Sequence, residues 1–202
     1  MFRALTSILL SLLLTLLTGC NRTGSTPKTI PSNPTKPTSS AAPNPIVGHE
    51  NSNPASLDDL SQTALRLINR ARATGRTCKD NKLDEGYFAA AKPVGWNLKL
   101  ETSARNHSKD MQQNNYFAHA SPNGVTLQKR LEKVGYIWRL IGENIAAGQP
   151  TLERAVEGWI GSAGHCAVLM NADFTQMGLA RIEGAAENTY KVYWTLDFGT
   201  PR

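Results

Sequence analysis

The sequence predicts an α+β domain of layered architecture over residues 57–202, on three observations. Apolar residues recur at helical spacing in four separate stretches. The period changes to strict alternation near the C-terminus. The helices precede the strands in blocks, which argues against a doubly wound parallel sheet. The first helix opens on a capping-box signal, Ser56 with Asp59 three residues on, and carries Leu57, Leu60, Ala64, Leu67, Ile68 and Ala71. A second helix is expected from about Glu101 to Asn115, with Ala104, Ser108 and Met111 on one face. A third, from Thr126 to Val134, aligns Leu127 with Leu131 and Val134 and stops at Gly135. A fourth, Leu152 to Ile160, aligns Leu152, Ala155, Val156, Trp159 and Ile160. Met177 to Ile182 reads as a strand, followed by a turn over Glu183–Asn188. In the last strand Tyr190, Val192, Trp194, Leu196 and Phe198 form the buried face. Lys191, Tyr193, Thr195 and Asp197 form the other.

Composition sets the outer limits. The chain has 202 residues, 40% of them hydrophobic and 19% charged, enough for one real core. The net charge of +6 is mild and without runs of like charge, so nucleic acid is not an expected partner. One long apolar run, at the N-terminus, excludes a polytopic membrane protein. Arg3 precedes the apolar stretch Ala4 to Leu17, which is too short for the ~20 residues of a comfortable span and suits a signal-peptide core. Leu17-Thr18-Gly19-Cys20 follows and resembles a bacterial lipobox, at which the chain is cut and the cysteine acylated. An ordinary secretion signal with an incidental cysteine is the alternative. Residues 1–19 are thus expected to be a lipoprotein signal peptide, and Cys20 a lipidated anchor that makes the membrane a partner. Residues 20–56 are expected to form a disordered tether. Seven of the eleven prolines fall between residues 21 and 56, with no aromatic residue. Such a tether would reach roughly 30 Å as a coil and ~110 Å if extended as polyproline. The expected location is extracytoplasmic, in a bacterial periplasm or on a cell surface, and the expected state is a monomer.

Two cysteines remain in the folded part, Cys78 and Cys166, in a compartment where disulfides persist. An even pair suggests one bridge, worth about 4–5 kcal/mol in the chain-entropy model for a loop of roughly 90 residues. The alternative is Cys166 as a nucleophile beside His165. There are four histidines. His49 lies in the tether. His107 sits mid-helix as a packing or hydrogen-bonding residue. His119 lies in a loop between Tyr116-Phe117 and the turn Ser121-Pro122-Asn123-Gly124. His165 is placed just past a helix end. Glu143 lies in the short apolar segment Gly142-Glu143-Asn144-Ile145-Ala146. No HExxH or CxxC is present, so spacing alone points to no zinc site.

Seven motifs in one order carry a resemblance. They are Gly95-Trp96-Asn97-Leu98-Lys99-Leu100, His107-Ser108-Lys109-Asp110-Met111, Phe117-Ala118-His119, Gly135-Tyr136, Gly142-Glu143-Asn144-Ile145-Ala146, Trp159-Ile160-Gly161-Ser162-Ala163-Gly164-His165 and Tyr193-Trp194-Thr195-Leu196-Asp197-Phe198-Gly199. From about Leu60 to Gly199 the chain resembles the CAP superfamily of cysteine-rich secretory, antigen 5 and pathogenesis-related proteins, in its bacterial secreted branch. The resemblance implies an α-β-α sandwich (SCP-like) with a central antiparallel sheet. It also implies a cleft with two histidines and two acids that binds a divalent cation, zinc or magnesium. His119, Glu143 and His165 occupy three of those positions, and Ser162 replaces the second acid. Glu157, two residues before Trp159, does not substitute for it. Bacterial members also pair a cysteine before the first core motif with one after the second histidine, which supports Cys78 with Cys166. Family members are linked to sterol or lipid binding.

Two imidazoles and one carboxylate suit a borderline cation with an open water position. Loss of the second acid weakens the pull on that ion. A catalytic role for His119, Glu143 and His165, with Glu143 as base or with Ser162 or Ser121 as nucleophile, is the weaker alternative. Trp96, Trp138, Trp159 and Trp194 are expected in the core, Asn144 against buried backbone, and Arg130 either paired with an acid below the His119 loop or on the surface. The expected function is a lipid-anchored binding or interaction module of the cell envelope. It would take a small apolar ligand, an envelope component or a protein partner. A metal-dependent hydrolase or peptidase, and a structural envelope protein with a vestigial cleft, are the alternatives.

Overall fold

The computed structural model describes residues 57–202; the signal segment, Cys20, the tether, His49 and Ser56 lie outside the described residues. The sheet is organised around its last strand, β6 (Val192–Pro201), flanked by β5 (Gln176–Glu183) and β4 (Trp138–Ala147), both antiparallel to it. The two-residue β3 (Gly95–Trp96) adds to β5 in parallel, for the order β3-β5-β6-β4. Because β6 is central, both its faces are covered, and Val192 to Thr200 is buried throughout. This corrects the expectation of one exposed face: Tyr193, Thr195 and Asp197 are each 0% exposed. The covering element is α2 (Leu98–Gln113), which packs on β5 and β6 and lays Met111 on Ile145 and Tyr193.

The other face holds α1 (Asp59–Arg72), α4 (Leu152–Ile160) and α5 (Ala163–Met170). Their apolar faces meet Trp194, Leu196 and Phe198 in the main core, through Ile68, Trp159 and Leu169 among others. Helices therefore cover the sheet on both sides, the expected α-β-α sandwich. The short α3 (Leu127–Lys133) sits against α2 and β4, with Leu131 packed on Leu100 and Tyr136. Among the described residues no helix is long and apolar enough to cross a membrane.

Local chemistry sets the boundaries. The first helix is capped by Asp58, which accepts from Ser61 N at 2.7 Å, rather than by Ser56. The second starts three residues earlier than expected because Asn97 accepts from Lys99 N and Leu100 N. The third ends at Gly135, whose φ of 68° suits glycine. The expected block order fails. The hairpin β1 (Arg76–Lys79) and β2 (Asp84–Phe88) follows α1, and β4 precedes α4. That hairpin is bound to α5 twice. Cys78 and Cys166 form the expected disulfide, with Cα atoms 5.4 Å apart, and Asp80 Oδ2 accepts from Ala163 N at 2.9 Å. At the far end of α5 the fully buried Arg72 donates to the carbonyls of Leu169, Asn171 and Lys92. Its guanidinium thus takes up carbonyls that the helix end leaves unpaired.

The closest approach in the sandwich is at Gly178, where a Cβ would lie 2.0 Å from Glu101 N and 2.4 Å from Leu100 C. Neither is a side-chain end that can swing away. Gly178→Ala is expected to cost about 3 kcal/mol by overpacking. Gly158→Ala, in α4 with nothing within 4 Å of the added Cβ, is expected to gain ~0.5–1 kcal/mol from helix propensity. Urea denaturation of both variants checks the contrast.

Candidate functional site

The alternation of β4 sends Glu143 to the α2 face of the sheet and Asn144 to the α5 face. Glu143 is 8% exposed, and both its oxygens are occupied. Oε1 accepts from His119 Nδ1 at 2.8 Å, and Oε2 accepts from the Arg130 guanidinium. Arg130, 6% exposed, also donates to the His119 carbonyl at 3.0 Å, so one guanidinium ties the His119 loop to the sheet. Burial alone would raise the Glu143 carboxyl. The His119 hydrogen bond and the Arg130 charge outweigh it and hold the group ionised below the usual carboxylate range. Directly across the strand pair stands Asp197, fully buried, with Ser103 beside it. Burial first, and then the Glu143 charge, push its carboxyl well up, so it keeps its proton.

His107 supports the same loop from below. It is fully buried on α2 and donates Nε2–H to the Ala118 carbonyl at 3.0 Å. Its Nδ1 has no partner, and burial pushes its pKa down, so it is a neutral structural imidazole. Ser121 and Tyr116 both donate to Asp110, fixing the loop's other end.

His165 is reached from the opposite face. It lies just past the end of α4, as expected, but within the first turn of a further helix, α5, and Asn144 Nδ2 donates to its carbonyl at 3.0 Å. Ser162 stands at the N-cap position and makes no capping bond, while Asp80 accepts from Ala163 N, the first amide of the helix. The Ser162 hydroxyl lies 3.0 Å from His165 Nδ1. Burial, and then the charge of His119, lower the His165 pKa and keep it neutral.

A groove of about 260 Å³ straddles the edge of β4. Phe117, Ile145 and Tyr190 line one side, and Trp159, Ala155 and His165 line the other. Phe117 and Tyr190 pair as tilted rings with centroids 5.7 Å apart.

The structure therefore joins His119 to Glu143 and leaves His165 across the strand edge, outside their hydrogen bonds. Among the described residues no group of three His, Cys, Asp or Glu side chains is arranged to hold a metal ion. The donor set accounts for this: the Glu143 carboxylate accepts from both Arg130 and His119, and the position to which the family resemblance assigns a second acid is Ser162. His119, Glu143 and His165 as placed do not fit a three-ligand zinc or magnesium centre. Arg130 pairs with the acid below the loop, one of its two expected roles. Asp197 and Asp80 were missed. An acid inside the run Trp194-Thr195-Leu196-Asp197-Phe198 was the available signal for the first. Asp80 carried no local signal. Trp159 and Trp194 are core residues, whereas Trp96 and Trp138 are half-buried.

The titration signs give a test. The unfolded Asp197 ionises near pH 4, while the native one holds its proton, so its stability cost grows as pH rises above about 4. Asp197→Asn is expected to become more stabilising, relative to the wild type, from pH 4 to 7. His107 and His165 act with the opposite sign. Their native pKa values lie below the unfolded value of about 6.5, so the variant's own stability falls as pH drops from 7 toward 5. Thermal melts of both proteins across this range check the two slopes.

Comparison with known proteins agrees with the fold. The model of the CAP family, described as the cysteine-rich secretory protein family, matches residues 65–198. The uncharacterized protein YkwD of Bacillus subtilis (strain 168) is 36% identical over 107 residues, 53% of this chain and 39% of its own. The uncharacterized membrane protein YlbC of the same organism is 40% identical over 84 residues, 42% of this chain and 24% of its own. The chain thus spans well under half of either relative. A crystal structure of an extracellular protein containing a SCP domain, from Bacillus anthracis str. Ames, superposes with a TM-score of 0.52 at 31% identity. That match covers 69% of this chain and 39% of the other. With the motif order, the sandwich and the family match in agreement, the chain belongs to the CAP family of cysteine-rich secretory proteins.

Proposed function

We propose that the protein is an extracytoplasmic binding module, moored to a membrane through acylated Cys20, whose edge groove takes a small apolar ligand. The observation that carries this reading is the lining of the 260 Å³ groove. Rings and aliphatic side chains supply most of it, and His165, Ser162 and Gln149 place a few polar groups at its wall. Apolar walls with a few fixed polar groups are the usual build of a ligand site. The volume suits one short chain or ring. An extracellular relative and the Leu17-Thr18-Gly19-Cys20 segment support a place outside the cytoplasm. The reading needs no resident cation, because the one carboxylate near the imidazoles is committed to Arg130.

Octanol, a plain amphiphile of suitable size, provides the test. Saturable binding is expected by ligand-observed NMR on the full chain in mild detergent. Phe117→Ala removes a 42% exposed ring from the rim without opening the core, and is expected to weaken binding about tenfold. Binding that does not saturate, or that the variant leaves unchanged, contradicts the reading.

A further inference from the structure

A second concavity, of about 490 Å³, opens at the end of the sheet where α2 begins and β6 finishes. Trp96, Leu98 and Lys99 line it from the β3–α2 segment, and Ile137, Pro201 and Arg202 from the paired ends of β4 and β6. Two of its apolar side chains stand in the open: Ile137 is 71% exposed and Leu98 36%. Tyr136 turns inward onto Leu100 and Leu131, so its neighbour Ile137 is directed outward. Single exposed apolar side chains are ordinary. Two that share one concavity with the half-buried Trp96 and with Pro201 form a patch.

Hydrogen bonds fix the frame of this patch. Gln176 Oε1 accepts from the Tyr136 hydroxyl at 2.9 Å and from Asn97 Nδ2 at 3.1 Å. Lys99 Nζ donates to the Gly135 carbonyl at 2.9 Å, and Arg202 Nε to the Trp138 carbonyl at 3.1 Å. Both cations are thus held beside the apolar residues, and neither enters an ion pair among the described residues. No Asp or Glu side chain lines the concavity. Exposed aliphatic and indole groups flanked by cations match the interface of an anionic membrane. Apolar tips enter the headgroup boundary, and Lys and Arg meet the lipid phosphates. The chain's own anchor segment favours a bilayer over other occupants. A tether of roughly 30 to ~110 Å keeps the domain within reach of that surface, where even weak docking is effective.

We propose that this patch docks the domain on an anionic bilayer, with Ile137 and Leu98 in the headgroup region and Lys99 and Arg202 against lipid phosphates. The inference rests on the membrane mooring proposed above and not on the apolar ligand. It also orients the edge groove. β4 runs from the patch at Trp138 to the groove at Ala147, so a docked domain holds the groove ~30 Å from the lipid, open to the far side.

The full chain is reconstituted with vesicles of phosphatidylcholine, alone or mixed with phosphatidylglycerol, both carrying a headgroup nitroxide lipid that quenches tryptophan. Trp96 stands in the patch, while Trp159 and Trp194 in the core give a constant background. Stronger quenching is expected in the anionic vesicles, and high salt is expected to remove the difference. Ile137→Ser is expected to weaken docking about tenfold and Lys99→Gln about fivefold. Lys191→Gln, beside the turn at the other end of β5 and β6, is expected to leave it unchanged. Equal quenching in both vesicle types, or an equal loss in Lys191→Gln, overturns the proposal. Equal quenching together with a concentration-dependent dimer in detergent that Ile137→Ser abolishes assigns the patch to a second copy instead. Mass spectrometry of Cys20 in chain extracted from bacterial membranes tests the mooring separately, and the vesicle contrast is read in the same way whether or not an acyl mass is found.

Discussion

One buried guanidinium organises the candidate site. Arg130 carries its charge into a region where Glu143 would otherwise stand beside Asp197 with nothing to offset it. Two adjacent carboxyls in low dielectric are not both ionised. Here the conflict is resolved by position. Glu143 takes the cation and the His119 hydrogen bond and stays charged; Asp197, with neither, stays neutral. The same guanidinium reaches the His119 carbonyl, so the loop that displays the exposed imidazole is anchored through the ion pair. Removing one member of such a pair leaves an uncompensated buried charge, which is the costly case.

Around this pair the two faces of the sheet do different work. The α2 face carries the polar network of His107, Glu143, Asp197 and Arg130. The opposite face carries the large apolar core, and His165 reaches the groove from there. Because β4 is an edge strand, the groove draws walls from both faces. The hairpin contributes remotely. Asp80 accepts from the first amide of α5, beside the Ser162 hydroxyl that bonds His165, and the disulfide ties the hairpin to the same helix.

Much of the fold was legible because its elements carry one-sided patterns. The fourth helix runs over the residues that its periodicity marked, and the β5–β6 hairpin lies where alternation put it. What alternation lacks is any record of what covers the polar-looking face, so the burial of Thr195 and Asp197 awaited α2. The fifth helix was invisible for the converse reason: Cys166-Ala167-Val168-Leu169-Met170 is apolar all round and has no period to read. β4 looked like a short segment because Glu143 and Asn144 interrupt it. Both are buried there, one by an ion pair and the other by a hydrogen bond to the His165 carbonyl. Within the site, proximity of His119 to Glu143 came from the family resemblance, since no spacing rule links a loop residue to a strand 24 positions away. That Glu143 pairs with Arg130 depended on a contact between distant elements.

The central claim is that the Glu143 carboxylate exists to pair with Arg130. A double-mutant cycle of Arg130→Met and Glu143→Leu, followed by urea denaturation, measures this directly. Arg130→Met alone is expected to cost about 3–5 kcal/mol, because it strands a buried carboxylate, and the double variant is expected to recover a large part of that loss. Costs that simply add would show that the two groups act independently, and would contradict the account.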